Sequence, residues 1–423
     1  MNFSRFINAV SSARKISPIR ETTSILLKNP HFISLAGGMP NPSMFPFEKA
    51  QVTVSDGHVI TLEGRDMERS LQYSASRGLP EMIDWIENLM KKYHNPPLMQ
   101  NAHGSNFHTI VTNGSQDGLI KVFEMLVSPG DNLLVEDPCY PGVLAQIQPM
   151  PCNLIPVKTD AQGMIPESLT EIMKQWSPED AENPESNIPK VLYTVPTGGN
   201  PTGATCSLQR KQKIYEIAQK YNLVIVEDDP YYFLQFGEPT PTYLSMDVDG
   251  RVIRSDSLSK VVSSGLRLGW ISGAEAFIQR LILHHQASCL HTSSLVQMLV
   301  FRLVEHWGDD GFEKHVISVS DFYKDRRDFM ESCLSKYLGD FAEWHVPEAG
   351  MFFWIKLKDV KDTSEFIQNK AREEEVLLLP GKAFQVSAGE TSSFCRAAYS
   401  IASKEEIEEA FVRLRRLLDN NSK

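Results

Sequence analysis

The residues of this chain best suited to chemistry are a lysine, an arginine and two serines in one short segment. Lys260 follows Ser257 and Ser259, and Arg267 comes seven residues later. Most lysines are exposed and unreactive, so only the neighbouring hydroxyls and guanidinium favour a special role for this amine. Arginine and hydroxyl groups bind phosphate, and a lysine amine condenses with aldehydes. The segment suits a phosphorylated aldehyde that is held by its phosphate while Lys260 attacks its carbonyl carbon.

A second segment, Asn113 to Gln116, also has the features of a phosphate-binding loop. Gly114 frees the backbone, and the helix predicted to follow it offers unpaired N–H groups. A Gly-Ser pair ahead of a helix is more often a plain N-cap, so this loop alone indicates little.

Two further loops carry side chains that make directional hydrogen bonds. The loop from Pro196 to Gly203 is denser in glycine and proline than a tight turn needs, which favours a loop that holds Asn200 in one pose. Asp228 and Tyr231 follow a predicted strand at 223–227. In isolation, an acidic turn ahead of a proline is interpreted as solvated surface.

Predicted strands alternate with helices through the middle of the chain, and each of the four loops follows one of these strands. Short β-rich runs predict strands at 108–112, 133–136, 191–195, 223–227, 252–256 and 268–272. Such alternation indicates an α/β fold with a mostly parallel sheet covered by helices. Ligands of such sheets bind beyond the carboxyl ends of the strands, which is where the four loops lie.

Beyond about residue 310 the pattern predicts a second, smaller α+β domain. A long helical stretch precedes predicted strands at 351–357, 376–379 and 394–400. The chain closes on a helix that Ser403 and Glu406 begin with a capping box.

The composition is that of a globular protein with an excess of acid. The formal net charge is −11, from 42 basic and 53 acidic side chains. This balance argues against a nucleic-acid-coating surface but allows a local pocket for a small anion. No stretch approaches the ~18 apolar residues of a membrane-spanning helix. From the charge and the hydropathy we expect no nucleic-acid or membrane partner. The six cysteines form no C-x-x-C pair, so we also expect no metal ion and a reducing compartment.

The first twenty residues have two possible interpretations. They hold four basic and no acidic side chains before Glu21, and Phe3, Phe6, Ile7 and Val10 fall on one helical face. This composition is typical of a mitochondrial transit segment. It is equally consistent with a basic N-terminal arm of the folded protein.

Taken together, these motifs resemble those of the fold-type I, pyridoxal-phosphate-dependent aminotransferases. The shared features are S-L-S-K with a downstream G-L-R-L-G, the Asn-Pro-Thr-Gly loop, and a strand-end Asp with a Tyr three residues later. More narrowly, S-P-I-R, S-L-A-G-G, L-Q-Y-S, E-D-D-P-Y-Y-F-L-Q-F and E-W-H-V-P-x-A-G-M-F are similar to the kynurenine/2-aminoadipate aminotransferase subfamily. The resemblance covers almost the whole chain. It implies an aspartate aminotransferase-like large domain with a mostly parallel, seven-stranded sheet.

The resemblance also implies roles for particular residues toward the cofactor, pyridoxal 5′-phosphate. Lys260 would bind the cofactor covalently and later move a proton, and Asp228 would pair with the pyridinium nitrogen. Tyr231 and Asn200 would hydrogen-bond the phenolic oxygen, and Tyr140 would lie on the ring face. The residues implied to hold the phosphate are Ser115, Gln116, Ser257, Ser259 and Arg267.

For substrate and partners, the resemblance implies an amino-acid donor, a 2-oxo-acid acceptor and a second copy of the chain. Arg396 would bind the substrate α-carboxylate, with Asn200 and Tyr140 nearby. Arg20, Gly38 and Met39 would recognise the substrate side chain. Tyr73 resembles a tyrosine that reaches the site of the neighbouring subunit, which implies a homodimer with shared sites.

The expected reaction is transfer of the amino group of 2-aminoadipate or kynurenine to 2-oxoglutarate, with kynurenic acid formed from kynurenine. Alternatives are an aromatic or branched-chain aminotransferase of broad specificity, a β-lyase or decarboxylase on the same fold, and a transcriptional regulator with an aminotransferase-like domain.

We expect an N-terminal arm and part of the small domain at 1–45, a large cofactor domain at 46–310 and a small domain at 311–423. The expected compartment is the mitochondrial matrix, with the cytoplasm as the alternative.

The chain departs from the family pattern at one visible position. Thr197 stands where the family usually has asparagine in Pro-Asn-Gly. Because Asn200 is kept, we expect this change to affect the loop or substrate preference more than catalysis.

Overall fold

The computed structural model of the chain describes residues 1–29, 31–36, 38–100, 106–387 and 389–421. The chain divides into two compact units, each built from two segments. Unit 1 comprises Met1–Ser128 and Leu244–Lys314, and unit 2 comprises Pro129–Tyr243 and His315–Lys423.

The helices and strands are numbered here in chain order. The helices are α1 (Ala9–Ala13), α2 (Pro18–Lys28), α3 (Gly64–Leu71), α4 (Pro80–Tyr93), α5 (Ser115–Leu126), α6 (Pro141–Ile147), α7 (Pro166–Met173), α8 (Leu208–Lys220), α9 (Glu275–Ser288), α10 (Ser294–Leu338), α11 (Thr363–Glu365) and α12 (Lys404–Asn421). The strands are β1 (Lys49–Thr53), β2 (Val59–Glu63), β3 (Phe107–Thr112), β4 (Asn132–Asp137), β5 (Asn153–Asp160), β6 (Gly163–Met164), β7 (Val191–Thr194), β8 (Val224–Asp228), β9 (Val252–Ser257), β10 (Gly269–Ala274), β11 (Ala342–Glu343), β12 (Phe352–Leu357), β13 (Leu379–Pro380) and β14 (Phe394–Ala398). The long helix α10 is interrupted at Gly308, where φ is 59°.

In unit 1, β10 pairs antiparallel with both β3 and β9. Parallel neighbours need a long crossover connection, usually a helix. The segment between β9 and β10 contains only a short 3₁₀ turn, Ser264–Leu266, and it closes with a hydrogen bond from Leu258 N to Leu268 O at 3.1 Å. The mostly parallel pairing predicted from the sequence therefore does not extend to these strands.

Unit 2 contains the parallel pairings. β4 pairs in parallel with β5 and β7, and β7 pairs in parallel with β8. The helices α6, α7 and α8 lie in the connections between these strands, as expected of β-α-β units. Seven of the strands in the two units, β3, β10, β9, β8, β7, β4 and β5, account for the seven strands implied by the resemblance, and the two-residue β6 is additional.

Unit 2 also contains a smaller antiparallel sheet, in the order β11-β12-β14-β13. Phe353 and Tyr399 lie in its core together with Ile407 and Phe411 of α12, and each of these four is at most 2 % exposed. This is the smaller α+β assembly that the sequence predicts beyond residue 310. The α/β fold class is confirmed.

Most predicted elements occur where the sequence places them. Each of the six strands predicted between 108 and 272 is present with its ends within two residues of the prediction. The capping box of α12 is also confirmed, since Glu406 N donates to Ser403 Oγ at 3.2 Å and Ser403 N donates to Glu406 Oε2 at 2.6 Å.

Other elements differ from the sequence prediction. The strand predicted at 376–379 is wrong over most of its length, because Val376 N donates to Ala371 O at 2.8 Å and so ends the preceding helical turn. Glu375 has a φ of 59°, and only Leu379 and Pro380 pair with β14. The hairpin of β1 and β2, and the strand β5, were not predicted.

The N-terminal segment does not form the single amphipathic helix that its pattern predicts. A 3₁₀ turn, Phe3–Arg5, is separated from α1, and the apolar residues differ in burial. Phe6 is 1 % exposed and its ring centroid lies 6.4 Å from that of Phe277, whereas Val10 is 66 % exposed. Asn8 Nδ2 donates to Val127 O at 2.8 Å. The segment therefore packs on unit 1 as an arm.

In the part of the chain that the structure describes, no helix has the length and apolar character needed to cross a membrane.

Burial of Phe6 predicts that the arm stabilises unit 1. We expect Phe6→Ala to destabilise the protein by about 3 kcal/mol, because it removes a fully buried aromatic ring. Val10→Ala, in the same segment but exposed, should change stability by less than about 0.5 kcal/mol. Urea denaturation of both variants checks this. A Phe6→Ala variant as stable as wild type would show that packing of Phe6 contributes nothing to the stability of unit 1.

Candidate active site

The loop after β3 in unit 1 is shaped by close approach to an arginine. Gly114 has a φ of 83° and is the N-cap of α5. A Cβ atom at Gly114 would clash with the guanidinium of Arg267, and one at Gly269 would lie 2.8 Å from Ser115 N. Glycine at both positions therefore lets the arginine and the start of β10 approach the first turn of α5.

Arg267 is tied to the same loop by hydrogen bonds. Its guanidinium donates to Asn113 O at 3.4 Å, Ser264 O at 3.1 Å and Ser259 Oγ at 3.4 Å. Ser259 N in turn donates to Ser257 Oγ at 3.1 Å. Unit 1 therefore brings together the hydroxyls, the guanidinium and the helix N-terminus that the sequence assigns to phosphate binding, with Ser115 and Gln116 half-buried in the first turn of α5.

Lys260 lies three residues after the end of β9, in the same unit and half-buried. Burial lowers the pKa of Lys260, and the positive charge of Arg267 lowers it further. A lowered pKa increases the fraction of neutral amine near pH 7, and the neutral amine is the nucleophilic form.

Asp228, at the end of β8 in unit 2, is 3 % exposed. Tyr193 Oη donates a hydrogen bond of 2.9 Å to its Oδ2 atom. Burial, together with the nearby Asp228 carboxylate, raises the pKa of Tyr193, so this tyrosine stays protonated as a donor.

The loop after β7 depends on glycine at two positions. Gly198 has a φ of 52°, and a Cβ atom there would lie 2.6 Å from Gly350 N. Gly203 has a φ of 68°, and its Cβ would lie 2.5 Å from Phe352 O. The density of glycine in this loop is thus explained by backbone packed against backbone, which fixes the position of Asn200.

Arg396, on β14, is the cation beside Asn200. Its Nη1 atom donates to Asn200 Oδ1 at 2.8 Å, and its guanidinium lies over the rings of Phe352 (4.3 Å) and Phe384 (5.3 Å). Its Nε atom is buried and has no hydrogen-bond partner among the residues that the structure describes. A guanidinium held by aromatic faces with an unused donor is suited to bind a carboxylate.

Tyr231 completes the polar group of unit 2. Its hydroxyl is hydrogen-bonded to the side chain of Asn200, and Tyr140, Asp228 and Arg396 act on it electrostatically. Burial raises the pKa of Tyr231, so the phenol is protonated near neutral pH. The five unit 2 residues predicted for the site therefore lie together.

Arg20 and Tyr73 meet in unit 1. The Arg20 guanidinium lies 5.9 Å from the centre of the Tyr73 ring, and its Nη2 atom donates to Ser74 O at 3.3 Å. Gly38 is exposed and Met39 half-buried, just before Pro40, whose carbonyl accepts a hydrogen bond of 2.8 Å from Gln72 Nε2. The residues predicted to recognise the substrate side chain thus share this part of unit 1.

Three neighbours of these residues were missed from the sequence. Tyr193 contacts Asp228, and Phe352 and Phe384 flank Arg396. Tyr193 lies in a predicted strand and Phe352 in the quoted G-M-F motif, so both had a local signal. No spacing links Phe384 to Arg396, because the two residues meet only through the tertiary fold.

The residues present fit pyridoxal phosphate. Unit 1 offers a phosphate donor set of hydroxyls, Arg267 and the N-terminus of α5, whose N-cap Gly114 has no side chain to satisfy the first amides. It also supplies the amine of Lys260. Unit 2 offers a buried carboxylate, Asp228, of the kind that pairs with a pyridinium. Each unit thus offers groups of the kinds that pyridoxal-phosphate-dependent enzymes use.

Comparison with known proteins identifies the family. The family model described as aminotransferase class I and II matches residues 47–414. The chain belongs to this family, and its cofactor is pyridoxal 5′-phosphate. It is 49 % identical to the mitochondrial kynurenine/alpha-aminoadipate aminotransferases of Mus musculus, over 99 % of each chain, and of Rattus norvegicus, over 100 % of each.

Solved structures agree with this assignment. The aminotransferase Aro8 from Candida albicans superposes with a TM-score of 0.87 at 28 % identity, covering 99 % of this chain and 98 % of that one. The kynurenine aminotransferase of Pyrococcus horikoshii, in complex with PMP, KYN and KYA, gives a TM-score of 0.76 at 27 % identity, covering 100 % and 99 %. Both cover essentially the whole chain, so the fold is that of an aminotransferase.

The close contact at Gly198 predicts a severe effect of one methyl group. Gly198→Ala should destabilise the protein by more than about 2 kcal/mol, because the new Cβ meets backbone atoms and φ is positive. Gly237→Ala is the matched control, since nothing lies within 4 Å of its Cβ position and φ is not positive. Thermal denaturation of both variants checks this, and a harmless Gly198→Ala would contradict the proposed packing of the loop.

Proposed function

We propose that this chain transfers the amino group of L-2-aminoadipate and L-kynurenine to 2-oxoglutarate. The products are L-glutamate and the 2-oxo acids, and the one from kynurenine cyclises to kynurenic acid. The observation that carries the amino-acid class is Arg396, a guanidinium held by Asn200 and two aromatic rings with Nε unused among the described residues. The full-length similarity to the mammalian enzymes supports the choice of substrates.

Pyridoxal phosphate, when bound, supplies an electron-withdrawing ring that takes up the electron pair left on the substrate Cα. Lys260 removes the proton from Cα and returns one on the cofactor side. Its lowered pKa suits it to act as this base near neutral pH. Asp228 keeps the pyridinium nitrogen protonated, and Tyr193 holds the carboxylate in place through its 2.9 Å hydrogen bond.

Other residues position the reacting groups. Arg267, Ser257, Ser259, Ser115 and Gln116 hold the phosphate, and the N-terminus of α5 contributes its amides. Asn200 and Tyr231 donate hydrogen bonds to the phenolic oxygen, and Tyr140 lies against the ring. Arg396 binds the α-carboxylate that every amino-acid substrate has.

Arg20 supplies the specificity for the two proposed donors. Its Nε atom is buried and has no partner within the described part of the chain, and its guanidinium already faces an aromatic ring, that of Tyr73. A guanidinium can pair with the distal carboxylate of aminoadipate or stack on the aromatic ring of kynurenine. Gly38 and Met39 are the proposed further contacts to the substrate side chain.

The proposed assembly is a homodimer in which Tyr73 reaches the site of the other subunit. Tyr73 is 46 % exposed, which leaves its ring accessible to a partner. The proposed division is a large cofactor domain at 46–310, a small domain at 311–423, and an N-terminal arm at 1–45 that belongs partly to the small domain.

The proposed compartment is the mitochondrial matrix. Support comes from the mammalian relatives, which are named as mitochondrial, and from the basic N-terminal segment. Phe6 is buried on unit 1, so cleavage beyond this residue would remove a packing contact of the folded protein.

A panel of amino acids with 2-oxoglutarate as acceptor tests the proposed reaction. We expect glutamate to form fastest from 2-aminoadipate and kynurenine, and Lys260→Ala to lose transamination while remaining folded. Borohydride reduction should attach the cofactor to the wild-type chain and not to this variant. Normal turnover by Lys260→Ala would refute the role of the lysine, and pyruvate or ammonia in place of glutamate would favour a β-lyase.

The two substrate arginines predict different kinetic signatures. Arg20→Met should lower kcat/KM for 2-aminoadipate by about 10- to 100-fold, as expected for one charged hydrogen bond. It should leave alanine, which has no distal group, within about twofold. Arg396→Met should raise KM for all amino acids alike. Steady-state kinetics checks both variants, and an equal loss for every substrate with Arg20→Met would contradict its role in specificity.

Mixed dimers test whether Tyr73 acts on the other subunit. We expect Tyr73→Phe to weaken cofactor retention, and Lys260→Ala to be inactive. If Tyr73 serves the partner's site, a hybrid of the two variants has one site with both residues intact. Its activity should then exceed that of either parent and approach about half that of wild type. Activity no higher than the Tyr73→Phe parent would place the tyrosine in its own subunit's site.

A further inference from the structure

Three side chains with different metal-ligating atoms converge behind the phosphate-binding loop of unit 1. Asp117 lies in the first turn of α5, His285 in the last turn of α9, and Cys289 directly after α9 as its C-cap. One ligand atom from each lies within 4.8 Å of the other two. None of the three has a role in the proposed reaction.

The spacing of the thiol and the imidazole matches that of two ligands on one ion. His285 and Cys289 are four residues apart and therefore share a helix face. Cys289 Sγ lies 3.4 Å from both ring nitrogens of His285. With tetrahedral bonds of about 2.3 Å to sulfur and about 2.0 Å to nitrogen, ligands of one Zn²⁺ are about 3.5 Å apart. The thiol and the imidazole therefore already have the separation of two ligands on one ion, and a turn of the His285 ring would direct one nitrogen toward it.

We propose that Asp117, His285 and Cys289 form a binding site for Zn²⁺. Sulfur, nitrogen and carboxylate oxygen are the ligands that this ion takes in proteins. His285 is fully buried and so held in place, whereas Cys289 is exposed, which gives the ion access and leaves solvent to provide the fourth ligand. Asp117 completes the site by a small rotation of its side chain.

Zinc competes with a cation already present. The ammonium of Lys121, which is 4 % exposed, pairs with Asp117, so Zn²⁺ must displace it from the carboxylate. Asp117 Oδ2 also accepts a hydrogen bond of 3.1 Å from Asn113 N. Zinc binding therefore acts on a carboxylate that supports the loop at Asn113.

Asn113 links the zinc site to cofactor binding. Its carbonyl oxygen accepts from Arg267, one of the phosphate-binding residues, at 3.4 Å. Rotation of Asp117 toward Zn²⁺ loosens this loop and weakens phosphate binding, so the ion inhibits the enzyme. The inhibition rests on the proposed function of the loop, but the zinc site itself does not.

Equilibrium dialysis of the holoenzyme against ZnCl₂, followed by metal analysis, tests the site. Wild type should bind one equivalent that Cys289→Ser and His285→Gln lose, with affinity lowered more than about 100-fold, since even changes outside the ligand set cost 10- to 100-fold. Cys152→Ser, at a half-buried cysteine of unit 2, is the matched control and should bind as wild type. Lys121→Met, which removes the competing charge, should bind more tightly.

Two further measurements distinguish zinc binding at Cys289 from inhibition of the enzyme by zinc. Co²⁺ should give a thiolate-to-cobalt absorption band in wild type and none in Cys289→Ser. Zn²⁺ should inhibit wild type, with reversal by chelator or added pyridoxal phosphate, and should not inhibit Cys289→Ser. Equal zinc binding by wild type and Cys289→Ser overturns the site. Binding at Cys289 without inhibition overturns the link to the phosphate loop, whatever the substrate of the enzyme.

Discussion

The close backbone contact between Gly198 and Gly350 is the constraint on which the proposed substrate-binding part of unit 2 depends. A Cβ atom on either residue would lie 2.6 Å from backbone atoms of the other segment. With two glycines, the loop after β7 lies directly on the chain that leads into β12. Asn200 is thereby held where it accepts the 2.8 Å hydrogen bond from Arg396. Without this contact the arginine would keep its aromatic neighbours but lose its orientation.

Three arginines proposed to bind small anions stand out in an acidic protein. The chain carries a net −11, yet Arg267, Arg396 and Arg20 each lie beside hydroxyls, amides or aromatic rings and form no ion pair with any residue that the structure describes. A guanidinium that is not neutralised by a carboxylate remains available to a ligand, and the partial burial of Arg20 and Arg396 strengthens their attraction for a carboxylate. The acidic surface and the cationic binding groups are therefore compatible, because they occupy different places.

The positions of the loops could be predicted from the sequence, but most of the residues that contact them in the folded protein could not. Strand ends were predictable because β-rich runs and helical spacing are local, and they placed Asp228 and Lys260 within a few residues of the ends of β8 and β9. Arg396 and its role came only from resemblance. The aromatic pair around Arg396, and the cluster of Asp117, His285 and Cys289, join residues distant in sequence, and no local pattern encodes such contacts. The prediction of a single N-terminal amphipathic helix was wrong, because packing of Phe6 on unit 1 overrides the amphipathic spacing of the segment.

Absorbance of the bound cofactor distinguishes transamination in two half-reactions from the other reactions open to this family. The holoenzyme is mixed with L-2-aminoadipate in the absence of any oxo acid. For a transaminase we expect stoichiometric conversion of the cofactor to its amine form, release of one equivalent of 2-oxo acid per subunit, and full reversal by 2-oxoglutarate. Continuous release of ammonia or carbon dioxide, with the cofactor remaining in its aldehyde form, would contradict it.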